Sequence, residues 1–133
     1  VLPRFVRQAL RGEPITIYGD GTQTRCFCSV GDVVHGMVAL SEAPKAFGRV
    51  FNLGGTEEVS MRELANRVRQ LADSKSELEL ISYDIAYEEG FEDMARRVPN
   101  TDRANDLVGF KPEASLDDII RTVIEDQQNQ MSG

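Results

Sequence analysis

The spacing of apolar residues at the start of the 133-residue chain is that of one face of a helix. Apolar side chains recur every three or four positions, which predicts an amphipathic helix. Pro3 suits its first turn, and Gly12 follows as a helix-ending residue. The apolar positions that predict this helix are Leu2, Phe5, Val6, Ala9 and Leu10.

The pattern then changes to that of a strand. Ile15 and Ile17 alternate with Thr16 and Tyr18, which predicts a short strand with one buried face. The run Gly19-Asp20-Gly21 is a strong turn signal, and residues 24–30 predict a second extended segment. We therefore expect a hairpin between the two segments.

The rest of the chain continues as short helices and strands. Ser60 and Glu63 have capping-box spacing, and Ser115 opens the last apolar stripe. A long irregular stretch covers residues 82–100. The other expected elements are a helix from about Asp32 that buries Val33, Met37 and Leu40 and ends before Pro44, a buried strand over 50–53 that ends at Gly54-Gly55, a strand at 78–80, a helix over 101–107 ended by Gly109, and a polar, frayed tail over 126–133. This predicts one mixed α/β domain over residues 1–133.

Composition and charge narrow the functional classes. The net charge of −7 argues against nucleic acid as a partner, because polyanions are held by clustered Lys and Arg. No apolar run is long enough to cross a bilayer, and the start at Val1 does not resemble a signal peptide, although a missing N-terminus would hide one. Cys26 and Cys28 are expected to be reduced, packed thiols in a cytoplasmic protein.

Arginines supply the main candidate chemistry. Arg25 follows the glycine turn, and Arg96-Arg97 lie in the long irregular stretch. Guanidinium groups from two segments could form a bidentate clamp on a diphosphate, with Tyr18 as an aromatic face for a base. From spacing alone, ordinary surface charge is the stronger interpretation. The acids of the irregular stretch are expected to form a solvated rim rather than a metal site: Asp84, Glu88, Glu89, Glu92 and Asp93.

Two features of a nicotinamide enzyme are missing from the sequence. The eleven glycines include no G-x-G-x-x-G turn, and no tyrosine is followed four residues later by lysine. His35 has no evident Ser or Cys partner, so a structural role is expected. We therefore expect no catalytic residue, no metal and no NAD-binding residue within these 133 positions.

Several blocks together make the chain resemble the extended short-chain dehydrogenase/reductase family. The blocks are LRGEPITIYGDGTQTR over 10–25, VGDVV over 30–34, VFNLGG over 50–55, RRVPN over 96–100 and LVGFKP over 107–112. Members act on nucleotide sugars and include UDP-glucose 4-epimerases, UDP-glucuronate decarboxylases and dTDP-glucose 4,6-dehydratases. The resemblance covers nearly the whole chain.

The resemblance implies roles for the residues named above and for a few others. Thr16 and Tyr18 would meet the pyrimidine through backbone and ring, and Arg25 and Arg97 would hold the diphosphate. Arg96 replaces Arg97 if the loop register differs. Phe27 would line the pocket, Leu2 would touch the nucleotide, and Asn52 would tie backbone segments together.

The resemblance also implies that residues 1–133 are the C-terminal, substrate-binding portion of a Rossmann-type NAD-dependent enzyme. The NAD turn and the Tyr-x-x-x-Lys pair belong to the N-terminal half in this family. The expected partner is a UDP- or dTDP-sugar, and the parent enzyme is expected to be a homodimer. The alternatives are a non-catalytic sugar-nucleotide-binding or interaction module and a plain structural domain without nucleotide binding.

Overall fold

The computed structural model describes residues 1–86 and 93–133 as an α/β fold. Tyr87, Glu88, Glu89, Phe91 and Glu92, which the irregular stretch included, lie outside the described residues. In chain order the elements are α1 (Leu2–Arg11), β1 (Ile15–Tyr18), β2 (Thr24–Cys26), α2 (Val30–Ser41), a 3₁₀ turn (Pro44–Ala46), β3 (Glu58–Ser60), α3 (Met61–Leu71), β4 (Leu78–Ile81), α4 (Tyr83–Ala86), α5 (Asp102–Val108) and α6 (Leu116–Ser132).

The core forms where α1, α3 and α6 pack on one another and on β1. As the helical spacing predicts, the apolar stripes of these helices face inward because each must bury its apolar side against another element. Gly12 ends α1 in the left-handed conformation, at φ 69°. The fully buried, largest side chains are Phe5, Ile15, Ile17, Leu64 and Ile120.

The expected hairpin is absent, and that prediction was wrong. β1 pairs in parallel with β4, with Ile15 opposite Leu78, whereas β2 pairs antiparallel with β3. The Gly19 N–H donates to the Ile81 carbonyl at 2.7 Å, so the β1 pairing with β4 continues into the turn. Residues 19–23 therefore carry the chain from one two-stranded sheet to the other.

Helix α2 begins at Val30, earlier than expected, because Ser29 caps it and leaves residues 24–30 only partly extended. The expectation that Met37 faces inward was wrong, since this side chain is 59% exposed. The buried residue of α2 is Gly36, where an added Cβ would lie 2.8 Å from Phe110 Cδ2. The bare backbone at Gly36 lets the Phe110 ring approach, and this contact decides which face of the helix turns inward.

The predicted strand over 50–53 was also wrong. These residues have no regular secondary structure, and Val50 is exposed. The antiparallel partner of β2 is β3, several residues later along the chain, which the sequence pattern did not predict. Without a neighbouring strand in the described part of the chain, segment 50–53 remains irregular.

Both serine caps are confirmed, but the capping box expected at Ser60 is incomplete. Ser60 Oγ accepts from the Glu63 N–H at 3.1 Å, but the Glu63 carboxylate bonds Arg67 instead of completing a capping box. Ser115 and Asp118 form the complete reciprocal box.

Helix α6 continues to Ser132, so the expected fraying after Glu125 was wrong. Nowhere in the described part of the chain is a helix long and apolar enough to cross a membrane.

Candidate functional site

Two adjoining hollows meet at the side chain of Arg25. The first, which we call the Tyr18 hollow, encloses about 40 Å³ and is lined by Val1, Arg4, Phe5, Tyr18, Gln23, Arg25, Met61 and Asp93. The second, which we call the Arg97 hollow, is an open cleft of about 520 Å³ lined by Val1, Arg25, Cys26, Phe27, Cys28, Leu53, Gly54, Gly55, Arg97, Val98 and Pro99. Four of the expected site residues therefore line one continuous region: Tyr18, Arg25, Phe27 and Arg97.

Tyr18 is positioned at the end of β1 by neighbours from α1 and from the turn. The Arg4 guanidinium carbon lies 4.0 Å from the centroid of the Tyr18 ring, a cation–π distance. Gln23 Nε2 donates to the Tyr18 carbonyl at 2.8 Å. The sequence patterns did not single out either Arg4 or Gln23, since nothing local relates the first turn of α1 to the end of β1.

Thr16 uses its polar groups within the protein. Its N–H donates to Gln8 Oε1 at 3.0 Å, and its hydroxyl accepts from Gln8 Nε2 at 2.9 Å. Its carbonyl accepts from Arg4 Nη2 at 2.9 Å. Arg4 Nε is buried and has no hydrogen-bond partner among the described residues. In the present arrangement, Thr16 thus anchors α1 to β1, and Arg4 links Thr16 to Tyr18.

Arg25 is held from both ends of its guanidinium. Nη1 donates to the Thr24 carbonyl at 2.6 Å, and Nη2 makes an ion pair with the Asp93 carboxylate. The two side chains are only 16% and 19% exposed. The expectation that Asp93 belongs to a solvated rim was wrong, because the carboxylate turns inward to this arginine. Asp84 is exposed, as that expectation required.

The neighbouring arginines, Arg96 and Arg97, have different surroundings. Arg96 is 68% exposed and forms a two-bond pair with Glu58, at 2.9 and 3.1 Å. Hydrogen bonds from Thr24 Oγ1 and then from Arg96 lower the pKa of the Glu58 carboxyl. Arg97 lines the Arg97 hollow together with Arg25. Arg97 therefore lines the same hollow as Arg25, while Arg96 fastens its segment to β3.

The far wall of the Arg97 hollow depends on a close backbone approach. A Cβ on Gly55 would lie 1.9 Å from the Phe27 carbonyl oxygen, so the two backbones touch. Asn52 Nδ2 donates to the Asn100 carbonyl at 3.3 Å, which confirms its expected backbone-tying role. These contacts fix segment 52–55 against both the β2 exit and the chain before α5.

Leu2 and the two cysteines offer no polar chemistry to the site. Leu2 is 4% exposed and belongs to the core, while its neighbour Val1 lines both hollows. Cys26 and Cys28 are free and half-buried. Burial raises the pKa of both thiols, with a further upward contribution from Glu58 for Cys26 and from Asp32 for Cys28. Both thiols are therefore poor nucleophiles at neutral pH.

The described residues do not fit a metal or a dinucleotide. Across 1–86 and 93–133 no group of three or more His, Cys, Asp or Glu side chains could hold a metal ion. The turn after β1, over residues 19–23, leads into strand β2, whereas a dinucleotide turn leads into a helix whose N-terminus faces the pyrophosphate. His35, in α2, is exposed beside Asp32 and Lys111. Among the described residues, the site therefore combines the guanidinium groups of Arg25 and Arg97 with the aromatic ring of Tyr18.

Residues 1–54 match the NAD dependent epimerase/dehydratase family. The chain is 34% identical over 125 residues to a UDP-N-acetyl-alpha-D-glucosaminuronate decarboxylase of Bacillus cytotoxicus, covering 94% of this chain and 39% of that protein. It is 35% identical over 133 residues to UDP-glucuronic acid decarboxylase 2 of Arabidopsis thaliana, covering 100% of this chain and 28% of that protein.

A solved structure gives the same result at the level of the fold. The chain superposes on the UDP-glucuronic acid 4-epimerase of Bacillus cereus, in complex with UDP-glucuronic acid and NAD, with a TM-score of 0.85 at 25% identity. The match covers 97% of this chain and 40% of that chain. The expected fold class is thereby confirmed, and the present chain spans well under half the length of these relatives, on their C-terminal side.

Proposed function

Because the chain belongs to the NAD dependent epimerase/dehydratase family of extended short-chain dehydrogenases/reductases, we propose that its residues bind the nucleotide diphosphate of a UDP- or dTDP-sugar. The observation that carries the proposal is the meeting of Arg25, from β2, with Arg97, from the segment before α5, in one hollow. Two guanidinium groups that approach an anion from separate segments can each donate paired hydrogen bonds to phosphate oxygens.

The remaining roles follow from the positions of the side chains around the two arginines. In the proposal Tyr18 offers its ring and backbone to the pyrimidine, and Phe27 lines the apolar side of the Arg97 hollow. Thr16 meets the pyrimidine through its backbone only where the ligand takes the place of its bonds to Gln8 and Arg4. Leu2 would touch the nucleotide at the start of α1 through the 4% of its surface that is exposed. Arg96 holds the segment that presents Arg97, and it stands in for Arg97 only if the loop register changes.

The reaction that we propose for the parent protein is epimerisation, decarboxylation or dehydration of the sugar through a transient 4-keto sugar. The relatives' names cover decarboxylases and a 4-epimerase. NAD and the tyrosine base would be held by residues of the parent protein outside these 133, since the sequence contains neither a dinucleotide turn nor a Tyr-x-x-x-Lys pair. The 133 residues alone are accordingly expected to bind and not to convert the sugar, and the parent's homodimer stays a prediction.

Calorimetric titration of the chain with UDP tests the binding role. Replacing Arg25 or Arg97 by Ala should weaken UDP binding by roughly 10- to 100-fold, because each loses about 1.5–3 kcal/mol of charged hydrogen bonding. Uridine, which lacks the phosphates, should bind the variants and the parent chain equally. Arg121→Ala removes one exposed positive charge from α6 and serves as the control. Unchanged UDP affinity in both site variants would contradict the clamp.

A turnover assay separates binding from catalysis. The chain incubated with UDP-glucuronic acid and NAD should form no product, whereas calorimetry should still detect UDP. Product formation by these residues alone would show that they contain a catalytic group that the present assignment lacks. Absence of nucleotide binding would favour the plain structural domain.

A further inference from the structure

The arginine proposed to hold the diphosphate already has an anionic partner within the chain. Asp93 contributes its carboxylate to Arg25 Nη2 and lines the Tyr18 hollow. We propose that Asp93 is a specificity-determining residue, which competes with the ligand's diphosphate for Arg25 and so sets how much negative charge the site accepts. The inference rests on the proposed nucleotide-diphosphate binding and adds a residue that opposes it.

The backbone just after Asp93 is anchored, which limits how far the Asp93 carboxylate can move when a diphosphate displaces it from Arg25. The Thr24 N–H donates to the Ala95 carbonyl at 2.8 Å, and Thr24 and Arg96 form a parallel bridge. The Arg96 pair with Glu58 fastens the same segment to β3. Ala95 and Arg96, two and three residues after Asp93, are therefore fixed to β2 and β3, which keeps a displaced Asp93 carboxylate close to whatever replaces it on Arg25.

Burial makes the electrostatic interaction of the Arg25–Asp93 pair stronger than that of the neighbouring Arg96–Glu58 pair. The Arg25 and Asp93 side chains are mostly covered, whereas Arg96 is largely exposed to solvent. Coulombic interactions are screened by water and salt at exposed positions and much less at covered ones. The Arg25–Asp93 contact is thus the ion pair at this site whose exchange should affect ligand affinity.

The charged side chains around the Tyr18 hollow determine whether Asp93 raises or lowers ligand affinity. Its cationic side chains are those of Arg4 and Arg25, and its carboxylate is that of Asp93. A diphosphate that bonds Arg25 Nη2 displaces the Asp93 carboxylate and then lies beside it, and like charges in such proximity repel. A ligand without phosphates neither displaces Asp93 from Arg25 nor is repelled by its carboxylate. Asp93 therefore disfavours the ligand in proportion to the charge that it brings to Arg25.

Titration of the full 133-residue chain with UDP and with uridine tests the inference. Asp93→Asn should bind UDP about tenfold more tightly, because the repelling charge is gone, and should bind uridine within about twofold of the parent chain. Asp106→Asn removes an equal charge from the exposed face of α5 and should change neither affinity by more than about twofold. Asp93→Ser carries the same expectation should the amide variant misfold.

A second measurement does not depend on nucleotide binding. Phenylglyoxal labelling of Arg25, followed by peptide mass spectrometry, should proceed several-fold faster in Asp93→Asn because the guanidinium loses its ion pair with the carboxylate. An unchanged labelling rate, or UDP affinity equal to that of the parent chain, would overturn the inference while leaving the proposed function intact. Failure of every variant, including the parent chain, to bind UDP would instead refute the proposed function and this inference with it.

Discussion

Replacing Gly55 by Ala places a methyl group where the backbone of Phe27 already lies. The new Cβ would stand 1.9 Å from the Phe27 carbonyl oxygen, well inside the 3.0 Å below which real Cβ contacts essentially never occur. The two segments must therefore separate by at least about 1.1 Å. Gly55 does not have a positive φ, so the expected cost is steric and does not come from a forbidden backbone conformation.

The size of the effect follows from what has to move. A flexible side chain could turn aside, but the clashing atom is a backbone oxygen within the segment that leads from β2 to α2. Overpacking of a rigid neighbour costs about 2–3 kcal/mol, which for a domain of this length lowers Tm by roughly 10 °C. The variant should also bind UDP more weakly, because Phe27 and Gly55 both line the Arg97 hollow.

Urea unfolding followed by far-UV circular dichroism measures the change directly. Gly31→Ala is the matched control: it adds the same methyl group within α2, where the nearest atom is Ser29 Oγ at 4.0 Å. That control should be neutral or stabilising by up to about 1 kcal/mol, since Ala is the better helix former. If Gly55→Ala unfolds within about 0.5 kcal/mol of the parent chain, the close approach does not constrain the fold and the reasoning fails.

Two further variants test the caps and the charges that hold the C-terminal part of the chain. Ser115→Ala removes the capping hydroxyl of α6 and should cost about 1 kcal/mol in urea unfolding, whereas Ser132→Ala at the other end of the helix should cost nothing measurable. The Asp32 carboxylate accepts hydrogen bonds from the Ala114 and Glu113 N–H groups, and these bonds lower its pKa. The stabilisation from the ionised carboxylate is therefore complete above about pH 4, and it is lost as the pH falls towards the folded-state pKa of Asp32. The stability difference between the parent chain and Asp32→Asn should therefore shrink below pH 4, and a constant difference would exclude the ionised carboxylate as its source.

Local spacing was sufficient to predict the elements that form the core. The stripes of α1, α3 and α6 have the helical period, and their caps are short-range signals that need no knowledge of the partner. Arg25 likewise lies within a few residues of the glycine turn that was predicted before it. These features depend on residues within a few positions of one another, where sequence and structure are most directly linked.

Pairing between distant segments could not be predicted in this way. The glycine turn predicts a reversal, but it does not specify the strand beside Tyr18, which is that of Ile81. Likewise the inward face of α2 depends on the Phe110 ring, which approaches Gly36 from far along the chain. The partner of Arg25 is Asp93, and no local pattern connects them. The sequence thus predicted which residue types belong to the site. The Arg25–Asp93 ion pair within it could be identified only from the three-dimensional structure.

The packing of α1 against α6 also constrains the order in which this chain can acquire its structure. Helix α1 precedes α6 by about a hundred residues in the chain, and its apolar face is completed by residues of α6 such as Ile120 and Ile124. The β1–β4 pair likewise joins strands some sixty residues apart. Contacts of such large sequence separation form slowly, since long loops must close first. During translation the apolar face of α1 should therefore remain accessible to chaperones until α6 has left the ribosome.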